Sequence, residues 1–155
     1  MKFAADSSLL VRLYLRDSHT ESIERFLIKD AKTLSISDLA RVEVLNVLLR
    51  HEDRAARFLA DLDEGIRLRI ESLSWPDVFR LAESLARRFS AALKPGGHDL
   101  VLVAAAVTAG AAWFLSLDRD SCQRVLAAAA GLQVWPPLDK TEKGLVRHAA
   151  RQPAH

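Results

Sequence analysis

Apolar and polar positions along the chain follow two different periods, and the switches between them mark out the elements. The opening Phe3-Ala4-Ala5 is apolar and stops at Asp6-Ser7-Ser8, a polar group suited to starting a helix. Leu9, Leu10, Leu13 and Tyr14 then recur at helical spacing. Ser18 and Glu21 have capping-box spacing and predict a second helix carrying Ile23, Phe26 and Leu27. Thr33-Leu34-Ser35-Ile36 reads as a buried strand. From Ser37 to Arg50 the pattern is helical again, with Leu39, Val42, Leu45 and Leu49 on one face, and a further helix through Ala55–Leu62 ends near Gly65. Ile66 to Leu73 alternates apolar with charged side chains, as a half-buried strand does.

The second half repeats the alternation. Ser74-Trp75-Pro76-Asp77 starts a helix with proline where its missing N–H does no harm, and that helix runs to about Ser90. Lys94-Pro95-Gly96-Gly97 breaks it. His98 to Ala109 is apolar nearly all round, so it belongs deep in the core, and Gly110 closes it. Ala112–Leu117 predicts a strand, Arg119–Ala130 a helix, and Leu132–Trp135 a last strand before Pro136-Pro137. Strands alternating with helices imply one α/β domain over residues 1–138, its parallel sheet covered on both faces. Residues 139–155 lack an apolar stripe and read as a basic, flexible tail, with at most a short helix around Gly144–Ala150.

With 155 residues and 50% hydrophobic content, the chain has enough apolar material for one core. Its single Cys122 excludes an internal disulfide and a thiolate zinc cluster, and its place among Val125, Leu126 and Ala129 makes it a core residue. No apolar run approaches a membrane span, so a cytoplasmic protein is expected. The net charge of +2 comes from the tail; residues 1–138 are formally neutral. Net charge alone therefore does not argue for a nucleic-acid partner.

The carboxylates are more informative. Asp6 and Asp118 each follow a predicted strand, Asp99 opens the most buried helix, and Glu43 lies in line with Leu39 and Val47 beside an apolar stripe. Each Asp alone suits a helix cap. Together, acids at several junctions on one sheet edge repel one another unless a cation binds them. Oxygen ligands favour Mg²⁺ or Mn²⁺, and the absence of clustered Cys or paired His disfavours zinc.

The runs Phe3-Ala4-Ala5-Asp6-Ser7-Ser8, Leu34-Ser35-Ile36-Ser37 through Glu43, His98-Asp99-Leu100 and Phe114-Leu115-Ser116-Leu117-Asp118 resemble, in order and spacing, the four motifs of the PIN domain. The nearest group is the VapC toxins of toxin–antitoxin pairs. The resemblance covers about residues 2–135. It implies a three-layer α/β/α fold and Mg²⁺- or Mn²⁺-dependent endoribonuclease activity, with Asp6, Glu43, Asp99 and Asp118 as the acidic quartet. Ser116 matches a Ser or Thr beside the last acid. Asp120, two residues past Asp118, and Asp38, beside Ser37, depart from the usual pattern.

On that reading Asp6 and Asp99 are the firmest metal ligands, Asp118 holds a second ion or orients its water, and Glu43 acts directly or through water. Ser7, Ser37, Ser116 and Asp120 are candidates to hold the carboxylates, although ordinary caps explain the serines equally well. Arg119 is the best candidate for a phosphate contact, followed by Arg12, Arg16, Arg41, Lys94 and Arg124. The implied partners are RNA, a cognate antitoxin and a second copy of the chain. A haloacid-dehalogenase-type phosphatase is disfavoured because position 8 is Ser8 rather than a second Asp. A PIN-fold scaffold without catalysis is the alternative from another class.

Overall fold

A computed structural model of the chain describes residues 1–30 and 33–151. Its strands β1 (Phe3–Ala5), β2 (Leu34–Ile36), β3 (Leu68–Ile70), β4 (Trp113–Leu115) and β5 (Gln133–Trp135) form one parallel sheet in the order β3-β2-β1-β4-β5. Helices α1 (Ser7–Leu15), α2 (Thr20–Asp30), α3 (Asp38–Leu48) and α4 (Glu52–Glu64) belong to the first half of the chain. Helices α5 (Trp75–Leu93), α6 (Gly97–Thr108), α7 (Gln123–Ala129) and α8 (Lys140–Arg151) belong to the second. The result is the expected α/β/α sandwich.

Alternation along β1 divides the core in two. Phe3 and Ala5 face a cluster with Leu9, Leu10, Val44 and Phe58 from α1, α3 and α4. Ala4 faces the opposite cluster, where Val78 and Phe89 of α5 meet Val103–Ala106 of α6 and Leu126 of α7. The apolar sequence of α6 thus reflects burial between the sheet and α5, as expected. Trp113 and Trp135 are packing residues, stacked respectively on Phe3 (centroids 6.1 Å apart) and Phe26 (4.6 Å).

Several boundaries differ from the sequence reading. Helix α2 starts at Thr20, whose hydroxyl donates to the carbonyl of Arg12 at 2.9 Å and anchors the turn. In α3 the buried positions are Ala40, Val44 and Leu48, while Val42 and Leu49 are 63% and 68% exposed. The stripe through Leu39, Val42, Leu45 and Leu49 expected from the sequence is therefore displaced to its neighbour. Ile66 lies outside β3 and is exposed. Helix α7 begins at Gln123, because Asp118 Oδ1 accepts the N–H groups of Asp120 and Ser121 and holds the preceding residues in a turn.

The expectation of a loose tail also needs correcting for residues 140–151, which form α8; residues 152–155 lie outside the described residues. Ala149 is buried and Val146 packs on the cluster beneath it. Glu142 reaches the guanidinium of Arg124 at 2.7 Å, and that guanidinium also donates to the carbonyls of Ser116 (2.5 Å) and Pro136 (2.9 Å). A small apolar contact and a buried ion pair dock α8 in place of an apolar stripe.

Candidate metal centre

The strand order places the start of the chain at the centre of the sheet. From β1 the chain moves outward through β2 to β3, then returns to the other side of β1 as β4. The carboxyl ends of β1 and β4 therefore flank the point where the winding reverses, the usual ligand position in an open parallel sheet. Asp6 follows β1 and Ser116 follows β4, and pairing of Ala5 with Leu115 sets them side by side. Asp118 lies just beyond. Helix α3 starts directly after β2 with Ser37 as its cap, His98 links Glu43 of α3 to the first turn of α6, and Asp99 lies near enough to Cys122, the neighbour of Gln123, to act on its thiol.

Asp6 is 1% exposed and serves as N-cap of α1, with Oδ1 accepting the Leu9 N–H at 3.1 Å. Ser8 Oγ donates to the same carboxylate at 2.8 Å, Ser116 Oγ to its Oδ2 at 2.8 Å, and Gln123 Nε2 to Oδ2 at 2.8 Å. Burial dominates and raises the Asp6 pKa from 3.8 to about 6, partly opposed by the bonds from Leu9, Ser116 and Ser8; the nearby charge of Asp118 raises it further. Gln123 Nε2 also donates to Asp118 Oδ2 at 3.0 Å, so one amide nitrogen bridges both acids.

Of the other two acids, Asp99 sits in the first turn of α6 and Glu43 reaches that turn from α3. Glu43 Oε1 lies 2.8 Å from Nε2 of His98, which joins α3 to α6, and Glu43 Oε2 is buried with no hydrogen-bond partner among the described residues. Asp99 is 9% exposed, and its Oδ2 accepts the Gly96 N–H at 3.1 Å. Its charge reaches Cys122: burial first, and then Asp99, push the thiol pKa up, and the thiol donates to the carbonyl of Leu93 at 3.0 Å. The sequence pattern places Cys122 in the core; it is instead only partly buried, in the turn just before α7 and outside both core clusters.

Among the described residues, no lysine or arginine is paired with any of the four acids. Nor do any three of these side chains gather closely enough to hold an ion there. They form two groups, Asp6 with Asp118 across Gln123, and Glu43 with His98 next to Asp99. The donor set is nevertheless all oxygen, buried at Asp6 and Asp99 and half-buried at Asp118 and Glu43, and short of compensating charge at Asp6. A hard divalent cation that keeps several waters needs only one or two direct carboxylates, so Asp6 and Asp118 suit Mg²⁺ or Mn²⁺.

Among the remaining candidates, Ser116 contacts Asp6, whereas Ser7 and Ser37 make no hydrogen bond to a site carboxylate among the described residues. Ser37 caps α3 through the Ala40 N–H at 3.2 Å. Ser8, missed in the sequence because it looked like part of a cap, holds Asp6 instead. Asp120 is exposed and touches Asp118 through its backbone; Asp38 is exposed in the first turn of α3. Arg119 is exposed, 3.7 Å from Asp139, and lines a hollow with Ser8, Arg12, His19, Asp118 and Asp120. A second hollow shares Ser8 and Arg12 and reaches Glu43. Arg12 and Arg16 are paired with Asp17 and Glu24. Arg124 cannot meet a phosphate, because its guanidinium is buried against Glu142.

A parallel α/β/α domain with buried Asp6 and Asp99 near the winding reversal defines the class of architecture, and the family follows. The chain belongs to the PIN domain family, whose model matches residues 4–129. Its fold is shared by VapC20 of Mycobacterium tuberculosis, a toxin that cleaves the sarcin-ricin loop (TM-score 0.63, 20% identity, 87% of this chain and 100% of that one). A toxin–antitoxin complex from Klebsiella pneumoniae gives a TM-score of 0.61 at 15% identity over 78% of this chain and 90% of the other. VapBC2 of Rickettsia felis, bound to a DNA fragment from its promoter, gives 0.60 at 18% identity over 90% and 100%. No curated protein sequence matches the chain significantly.

Proposed function

We propose that this PIN-domain protein is a Mg²⁺- or Mn²⁺-dependent endoribonuclease, the toxin of a VapBC-type toxin–antitoxin pair. The observation that carries the reading is the buried Asp6 carboxylate at the winding reversal, bridged to Asp118 and lacking a basic partner among the described residues. Asp6 and Asp118 would hold the ion, with Asp99 and Glu43 completing the quartet from the α6 side. When bound, the cation supplies charge neutralisation at the scissile phosphate and a more acidic water. The chain's own part is to position the acids. Ser8 and Ser116 fix Asp6, the turn at Asp120–Ser121 fixes Asp118, and His98 fixes Glu43. Arg119, beside Asp118 and largely exposed, would meet a phosphate by leaving Asp139.

The partners in this reading are RNA, a cognate antitoxin and a second copy of the chain, in the cytoplasm. Exposed Val42 and Leu49 on one side of α3 supply an apolar face for self-association. The separation of the acids into two groups favours a second reading, a PIN-fold scaffold without catalysis. One assay distinguishes them. Purified protein is incubated with total RNA and Mg²⁺ or Mn²⁺, with and without chelator, beside Asp6→Ala and Asp118→Ala. Cleavage that disappears in chelator and in both variants supports the nuclease. Inert wild type supports the scaffold, and full activity in either variant refutes the metal-centred reading.

A further inference from the structure

We infer that Gln123 is an additional metal ligand of the acidic centre, whose side-chain amide takes the cation's place between Asp6 and Asp118 until the ion arrives. The inference rests on the metal-dependent reading above and goes beyond the acidic quartet. Gln123 is 4% exposed, and Nε2 lies 2.8 Å from Asp6 Oδ2 and 3.0 Å from Asp118 Oδ2. An amide nitrogen carries two N–H donors, one for each carboxylate. The opposite orientation would set Oε1 against two negatively charged oxygens. Without a cation, the nitrogen must face the acids.

That orientation leaves Oε1 buried with no hydrogen-bond partner among the described residues. A buried, unsatisfied acceptor is costly and requires an explanation. Here a divalent ion explains it. A cation held by these carboxylates would repel the partial positive charge of the N–H groups and attract the amide oxygen. Half a turn about the last side-chain torsion exchanges the two atoms, and that torsion is broad and nearly two-fold, so the backbone need not move. Amide oxygens are suitable hard ligands for Mg²⁺ and Mn²⁺. Position 123 is also the first residue of α7, at the end of the turn that Asp118 holds, so the ligand is mounted on the segment that carries the acid.

The test uses the full chain and the metal ions alone. Binding of Mg²⁺ and Mn²⁺ is measured by calorimetry for wild type, Gln123→Met and Gln123→Glu, with melting temperatures in chelator and in Mn²⁺. Gln123→Met keeps the length but loses both polar atoms, and should weaken Mn²⁺ binding roughly tenfold or more. Gln123→Glu keeps an oxygen but loses the N–H groups. It should melt below wild type in chelator, through repulsion with Asp6 and Asp118, yet bind Mn²⁺ at least as tightly and gain more from it. In ¹⁵N-labelled wild type, saturation with Mg²⁺ should shift the Gln123 side-chain amide resonances, a readout that does not depend on any variant folding. Unchanged Mn²⁺ affinity in Gln123→Met, or unmoved amide resonances, overturns this inference alone. Wild type that binds neither ion overturns the metal-dependent reading along with it.

Discussion

Replacing Asp6 by Asn removes a charge at almost constant shape, so the pH dependence of its effect measures how strongly the fold resists ionising that carboxyl. In the folded chain, burial raises its pKa from 3.8 to about 6. Such a group contributes stability in its neutral form, fully present below its unfolded pKa and lost as pH rises through the folded one. At about 1.4 kcal/mol per pH unit, the ionised Asp6 costs the wild type about 3 kcal/mol at about pH 8, with little of that cost left at about pH 4. Changed hydrogen bonds to Ser8, Ser116 and Gln123 add an offset that does not vary with pH. Urea unfolding of both proteins across this range reads the difference. The gap should move in favour of Asn by about 3 kcal/mol toward alkaline pH, and saturating Mg²⁺ at about pH 8 should narrow it by stabilising only the wild type. A gap independent of pH would refute the claim that Asp6 is held uncompensated.

Four further outcomes follow from other contacts. Glu142→Ala leaves the Arg124 guanidinium buried without its carboxylate, and should destabilise the protein by roughly 3 kcal/mol in thermal or urea unfolding. Burial would raise the Glu142 pKa, but its bonds from Arg124 and the Asp139 backbone outweigh that and lower it, so its contribution is present above the ordinary 4.5 and lost as pH falls below it. Arg119→Ala should lower RNA affinity and reduce the log–log salt slope by roughly 0.7, as measured by filter binding. Val42→Asp with Leu49→Asp should convert a dimer to a monomer in light scattering while leaving the melting temperature near that of the wild type, since both side chains are exposed. Cys122 should react with a thiol reagent far more slowly when folded than in urea, because burial and Asp99 both hold its thiol protonated.

Much of the fold was legible because the sheet is parallel and covered on both faces. Its strands read as short apolar runs, and the helix between His98 and Ala109 could only be a buried one. Periodicity failed where two neighbouring stripes were both apolar. Ala40, Val44 and Leu48 carry the inner face of α3, while Val42 and Leu49, of the same residue types as two of them, point outward. It failed again in α8, which is docked by Ala149 and one buried ion pair. No apolar count along the chain could find a helix that is held by a charge more than a dozen residues away.

The candidate centre was legible to the extent that it is made of titratable groups at element ends. A strand that stops at an acid advertises that acid, and so Asp6 and Asp118 stand out in the sequence. The groups that hold them do not. Ser8 and Ser7 are indistinguishable in the sequence, and only the direction of the first helical turn decides that Ser8 meets Asp6 at 2.8 Å while Ser7 lies beside the groove. Gln123 carries no charge and lies in what reads as the interior of a longer helix. Its importance arises only once the turn after β4 delays α7 until that residue, setting its amide between two carboxylates. The first-half acid comes from β1 and the second-half acid from β4, and the residue that joins them belongs to neither strand. The geometry of the acids at this edge is therefore tied to the packing of α7, and through Arg124 on the same helix to the docking of α8. Loss of the terminal helix should loosen the support beneath Ser116 and Gln123 before it unfolds the sheet. Amide hydrogen exchange on a chain truncated after Pro137 tests this: protection should fall first along α7 and at Ser116, with β1 and α6 retaining theirs. Equal loss across the sheet would show that α8 stabilises the whole fold and has no selective hold on the centre.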